Sequence, residues 1–119
     1  MEATAIRAAL PHFTGTTTYY QHWTGMRFTD GVHFLAENAR AHWLIDVITS
    51  WQREALRDSA LQEFQLWELF VRPDHTATIV CSRDSEDEAF RQEIEHTDFP
   101  LDYVRLYVED GVVLLPSEH

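Results

Sequence analysis

Residues 64–71, Phe64-Gln65-Leu66-Trp67-Glu68-Leu69-Phe70-Val71, decide the architecture. Apolar side chains stand at both odd and even positions, so a strand here is covered on both faces and lies centrally in a sheet. Pro73-Asp74-His75 turns the chain. Thr76–Cys81, rich in β-branched residues, returns as a second strand. Arg83 to Glu88 reads as a charged loop. Ala89 to His96 fits a helix or a strand; Phe90 and Ile94 among alternating charges favour the strand. Pro100 breaks it. Val104, Leu106 and Val108 then alternate with Tyr103, Arg105 and Tyr107, the pattern of a half-buried strand. Asp110-Gly111 closes a tight hairpin onto Val112–Leu115.

Towards the N-terminus, Glu2 to Leu10 favours a short helix stopped by Pro11. Thr14–Thr18 is a loop, and Tyr19–Trp23 a strand followed by a Thr24-Gly25 turn. Asp30-Gly31 predicts a second hairpin, joining Met26–Thr29 to Val32–Leu35. Asn38 is the expected cap of one long helix. Leu44, Val47, Ile48, Trp51 and Ala55 form its apolar stripe, with Asp46, Arg53 and Arg57 opposite. The expected fold class is α+β: an antiparallel sheet of six to seven short strands with one long helix packed on one face. Residues 1–119 are read as a single domain.

Composition narrows function. Twenty carboxylates face nine basic residues, all arginine, for a formal charge of -11. Yet 45% of the chain is hydrophobic and 13% aromatic, too much for a disordered acidic tail. Such a surface repels nucleic acid and acidic membranes and attracts basic proteins. No stretch approaches the roughly 18–20 apolar residues of a membrane span. Met1-Glu2-Ala3 lacks the basic start of a signal peptide, and Cys81 is the only cysteine, so a cytoplasmic location is expected.

Five segments in order carry a family likeness: Phe28-Thr29-Asp30-Gly31-Val32, His42-Trp43-Leu44-Ile45-Asp46, Phe64-Gln65-Leu66-Trp67, Thr97-Asp98-Phe99-Pro100-Leu101 and Leu114-Leu115-Pro116-Ser117-Glu118-His119. Together they resemble an uncharacterised domain family of small bacterial and phage proteins, over nearly the whole chain from about Leu10. The resemblance implies a single-domain protein often carried by mobile elements, and it implies no activity. His42 and His119 stand where the resemblance leads one to expect tyrosine.

Candidate sites are few. His42 and Asp46 share a helix face, and His96 and Asp98 a strand face; two such pairs brought together could bind a metal. The plain alternative is a surface pair and a turn cap, and no metal signature of the H-E-x-x-H or C-x-x-C kind occurs. No cofactor is expected. Cys81 shares parity with Ala77 and Ile79, which reads as core rather than nucleophile. Thr29-Asp30 and Thr97-Asp98 are read as turn chemistry. Neither a P-loop nor a Gly-x-Gly-x-x-Gly turn is present. Tyr19 and Tyr20 are candidate anchors for a partner, being on opposite strand faces with one of them exposed.

Asp84, Glu86, Asp87 and Glu88, continued by Glu93 and Glu95, make the densest acidic stretch. Alternate strand residues lie about 6.6–6.8 Å apart. That is close to two phosphate steps of about 3.4 Å along one DNA strand. A carboxylate array could thus imitate DNA to a basic groove, against the plainer reading of a solvated face. The first expectation is therefore a small acidic protein-binding module, docking on a basic, nucleic-acid-handling or defence protein of a host. The second is a hydrolytic or metal-dependent enzyme using His42, Asp46, His96 and Asp98. The third is a homodimeric structural protein.

Overall fold

The computed structural model describes residues 2–84 and 87–119. Five short helices, α1 (Ala3–Ala9), α2 (Asp30–Asn38), α3 (His42–Ser50), α4 (Gln52–Ala55) and α5 (Ser59–Glu63), accompany seven strands. The strands are β1 (Tyr19–Gln21), β2 (Arg27–Thr29), β3 (Gln65–Val71), β4 (Ala77–Ser82), β5 (Glu88–Ile94), β6 (Tyr103–Glu109) and β7 (Val112–Leu114). They form one sheet in the order β1-β2-β7-β6-β3-β4-β5. The class is α+β, as expected, but the sheet is mixed: β2 and β7 run parallel while the other pairs are antiparallel.

Each helix sends side chains into one core. Ile6 from α1, Leu35 from α2, Ile48 from α3, Ala55 from α4 and Leu61 from α5 meet Trp67, Leu69, Ile79, Cys81, Leu106 and Val113 of the sheet. The helices therefore cover a single face; the other carries no second layer among the described residues, and on it Leu66, Thr78, Val80 and Ser82 are buried while Phe70 and Tyr103 stay exposed. The core-facing residues of β3 and β4 are the odd ones, as parity demands.

Two expectations are corrected. Asp30-Gly31 opens α2 instead of turning a hairpin. Thr29 Oγ1 accepts the Val32 N–H at 3.2 Å, the bond of an N-cap. The single long helix is absent as well. Asn38 ends α2 rather than beginning a helix, and Arg40 follows in the left-handed region at φ 52°. The Ala41 N–H reaches back to the Ala36 carbonyl at 2.8 Å, a Schellman closure. Trp51, at φ -88° and ψ -8°, separates α3 from α4. The apolar stripe does face the core, but it is carried by two helices.

The N-cap of α5 is an electrostatic joint. Asp58 Oδ1 accepts from the N–H groups of Ala60 and Leu61 at 2.9 and 3.3 Å. Its Oδ2 accepts from Arg83 Nε and Nη2 at 3.0 and 2.6 Å. The guanidinium holds the Asp58 carboxyl below its ordinary value of 3.8. A depressed carboxylate contributes stability above its unfolded pKa, and that contribution is lost as pH falls through the lower folded value. Asp58→Asn should therefore lower the urea midpoint at pH 7 more than at pH 3. Equal losses at both pH values would show that the pair carries no pH-linked stability.

Candidate functional site

Strand register sorts the side chains of the uncovered face into rows. The first holds Glu93, Thr78, Phe70 and Tyr103; the second Arg91, Val80, Glu68 and Arg105; the third Glu88, Ser82, Leu66, Tyr107 and Leu114. Their charges are tied within the face. Arg72 Nη2 meets Glu93 Oε2 at 2.9 Å, and Thr78 Oγ1 also donates to that carboxylate. Arg91 grips both oxygens of Glu88, at 2.9 and 2.5 Å. Arg105 Nη2 lies 3.6 Å from Glu68 Oε2. The Tyr103 hydroxyl donates to Glu68 and accepts from Arg105 Nε at 3.1 Å. Partial burial, then the Glu68 carboxylate, push the Tyr103 phenol up, so it stays a donor. Hydrogen bonds from Thr78 and Arg72 hold the Glu93 carboxyl down.

Aromatic rings break this charged lattice at two places. Phe70 and Tyr103 lie 5.1 Å apart and remain 41% and 37% exposed. Phe64, Tyr107 and His119 form a second group, with centroids 4.9 to 5.5 Å apart, and His119 Nε2 pairs with Glu109 at 2.8 Å. Paired aromatics on a sheet face unprotected by a second layer are surfaces that another protein can cover.

The anticipated acidic stretch is divided. Glu88 and Glu93 belong to the lattice just described, and Asp87 pairs with Arg83 at 3.1 Å. Asp84 and Glu95 are exposed, and neither has an ion-pair partner among the described residues. Glu86 lies outside the described residues. Tyr19 is 51% exposed, with the Arg27 guanidinium carbon 5.5 Å from its ring centroid. Tyr20 faces inward and stacks on His33 at 3.9 Å.

The four His and Asp candidates do not share a site. His42 Nε2 meets Glu37 at 3.1 Å, and His33 Nε2 approaches the same oxygen at 3.5 Å. Asp46 holds His22 Nε2 at 2.7 Å. His96 pairs with neighbouring Asp98 at 3.3 Å, with the His75 ring 5.8 Å away. Among the described residues no three His, Cys, Asp or Glu side chains are placed to hold a metal ion.

The His22 arrangement was not anticipated. Its Nδ1 accepts the Thr24 N–H at 3.2 Å and lies 2.8 Å from Thr24 Oγ1, which leaves Nε2 as the donor to Asp46. This Thr–His–Asp chain resembles a nucleophile relay. Its first duty is structural, since it closes the turn after β1 and ties it to α3. The Thr24 N–H is spent on His22 Nδ1 and the Gly25 N–H on the His22 carbonyl, at 3.2 and 2.9 Å. Cys81 is fully buried, and burial pushes its thiol up to about 12. The folded protein at pH 8 should therefore resist an aromatic disulfide reagent, reacting only as it unfolds. Stoichiometric labelling of the native protein within minutes would contradict that burial.

Phe70, Tyr103 and Tyr107 did not stand out as site residues, although the signal was present. In both 64–70 and 103–107, charge and aromatic residues share one parity, which marks a face that is neither core nor plain solvent.

A family model described as a family of unknown function (DUF6876) matches residues 4–119. No curated protein and no solved structure matches the chain. No helix among the described residues is long and apolar enough to cross a membrane.

Proposed function

This chain belongs to the DUF6876 family, and we propose that it is a protein-binding module whose uncovered sheet face docks on a basic partner. The observation that carries the reading is the exposed Phe70–Tyr103 pair, on adjacent inner strands at one end of that face. Large, rigid rings give contact area at low entropic cost and are the usual anchors of an interface. The arginines around them, Arg72, Arg91 and Arg105, are each engaged by a carboxylate of the same face. The chain as a whole carries a charge of -11, which steers positively charged proteins towards it.

Nucleic-acid-handling proteins of a host, including defence nucleases, are a basic class that fits this charge. The phosphate-like array anticipated from Asp84, Glu86, Asp87, Glu88, Glu93 and Glu95 is not what the proposal rests on. Asp87, Glu88 and Glu93 are engaged by Arg83, Arg91 and Arg72, and Glu86 lies outside the described residues. Anchoring by rings, with steering by net charge, replaces mimicry.

A photo-crosslinking residue at position 70, introduced in host cells, tests this. The captured protein should be basic, and its retention should fall as salt is raised. With that partner purified, Phe70→Ala with Tyr103→Ala should weaken binding about 30- to 1,000-fold, as loss of paired aromatic anchors does. Undiminished binding by the double variant, or capture of an acidic protein only, would overturn the proposal.

A further inference from the structure

The uncovered face ends at β5, which hydrogen-bonds to β4 on one side and has no strand on the other among the described residues. Of the two sheet borders it is the longer, seven residues against three for β1. Its start is bulged, because Ser82 pairs with Glu88 and Cys81 with Phe90, leaving Ala89 extra. From Phe90 to Ile94 the pairing is regular.

The two sides of that regular stretch differ. Towards the helices stand Phe90 and Ile94, both only partly buried. Trp51 stacks on Phe90 at 4.5 Å and donates from Nε1 to Gln92 at 2.7 Å. Beyond Ile94 opens a cavity of about 490 Å³, lined by Trp43, Ile94, His96 and Phe99 among others. Towards the uncovered face stand Glu88, Arg91 and Glu93, with Glu95 following in the same alternation. A strand laid along β5 meets half-buried aromatic and aliphatic side chains on one side. On the other it meets the Glu88–Arg91 and Glu93–Arg72 pairs and, past the end of the strand, the exposed Glu95, which leaves one uncompensated negative charge.

We propose that residues 90–94 are an acceptor edge for an extended segment of the partner, one in which apolar and basic residues alternate. The inference rests on the protein-binding reading above and names its mode. Main-chain hydrogen bonds to the open edge supply affinity, and alternate side chains supply selectivity. The apolar row covers Trp51, Phe90 and Ile94 and enters the cavity; the basic row meets Glu95, drawn by the chain's net charge of -11. A second copy of this chain fits poorly, since each copy carries that same net charge of -11.

The probe is a short synthetic peptide alternating valine and arginine, compared with the same peptide carrying glutamate for arginine. Binding to the full chain is followed by amide shifts and hydrogen exchange. The basic peptide should shift and protect amides of residues 90–94, whereas the acidic peptide should not bind. Glu95→Arg, at a position without an ion-pair partner among the described residues, should weaken the basic peptide about tenfold. The proposal falls if millimolar basic peptide leaves those amides unchanged, or if they are protected without peptide in a particle of dimer mass. Shifts confined to the Phe70 and Tyr103 region would sink the edge and leave the docking face standing. A photo-crosslinked partner that ignores the Phe70/Tyr103 variant would sink the docking face itself.

Discussion

Replacing Gln65 by leucine will cost roughly 3–5 kcal/mol, because it strands several buried polar groups at once. Gln65 is 1% exposed, yet its amide is fully used. Its Oε1 accepts from Gln52 Nε2 and from Trp67 Nε1, both at 2.9 Å. Its Nε2 donates to Gln52 Oε1 at 2.8 Å and to the Leu61 carbonyl at 3.2 Å. Leucine matches the volume and supplies no donor or acceptor. The Trp67 N–H and the Leu61 carbonyl would be left dry, at about 1–3 kcal/mol each. Gln52 suffers less, because its Nε2 keeps the Ile48 carbonyl at 3.0 Å. Urea unfolding should register the full loss against a stability typically of about 5–15 kcal/mol. Adding Gln52→Leu should cost less than it does alone, since its partner amide is already gone. A loss below about 1 kcal/mol for Gln65→Leu would mean that water reaches these groups.

The second large effect is Gly31→Ala, where the ordinary sign reverses. In an exposed helix this change stabilises by about 1 kcal/mol. Here a Cβ would lie 2.7 Å from both Glu118 Oε1 and Leu115 Cδ1, and 2.8 Å from Glu118 Cδ. Glu118 is not free to swing aside. Its carboxylate accepts from Thr29 Oγ1 at 2.6 Å, Thr16 Oγ1 at 3.0 Å, Leu115 N–H at 3.0 Å and Gly31 N–H at 3.3 Å. We expect a loss of roughly 2–3 kcal/mol, as overpacking against fixed neighbours gives. Combining it with Glu118→Ala should cost less than the two separate losses added together, because the second change removes one of the two obstacles while the Leu115 methyl remains. A stabilised Gly31→Ala variant would show that the C-terminal residues do not close over the start of α2 in solution.

The same dipeptide, Asp-Gly, shows what sequence could and could not disclose. At Asp110-Gly111 both residues take positive φ, 53° and 73°, and the expected hairpin forms. Local chemistry suffices there. At Asp30-Gly31 local chemistry points the same way and loses. Thr29 caps a helix, and Glu118, 87 residues further on, takes the Gly31 N–H. The glycine is needed for close approach and not for a left-handed turn. Distant partners also explain the broken helix, where Trp51 turns to bond Gln92, 41 residues away. By contrast, β3 and β4 were legible as runs of apolar or β-branched residues at both parities, and β5 and β6 by their alternation. Of the site, the acidic stretch was visible as composition; the Arg83–Asp87 and Arg91–Glu88 pairs are local, whereas Arg72 reaches Glu93 only through strand register. Register also decides that Phe70 and Tyr103 meet as neighbours.

The parallel pairing of β2 with β7 sets the chain's fold against the order of its synthesis. The β1–β2 ribbon joins the sheet through β7 alone, and Arg27 N–H reaches the Gly111 carbonyl at 3.0 Å. β7 is the last strand to leave the ribosome. At about 5–20 residues per second, the ribbon waits roughly 4–17 s for its neighbour. A two-stranded ribbon alone is barely stable. For that interval the β1–β2 ribbon has no sheet to join, and chaperones and proteases meet it in that state. β7 acts as a keystone: three residues, made late, through which the earlier ribbon enters the sheet.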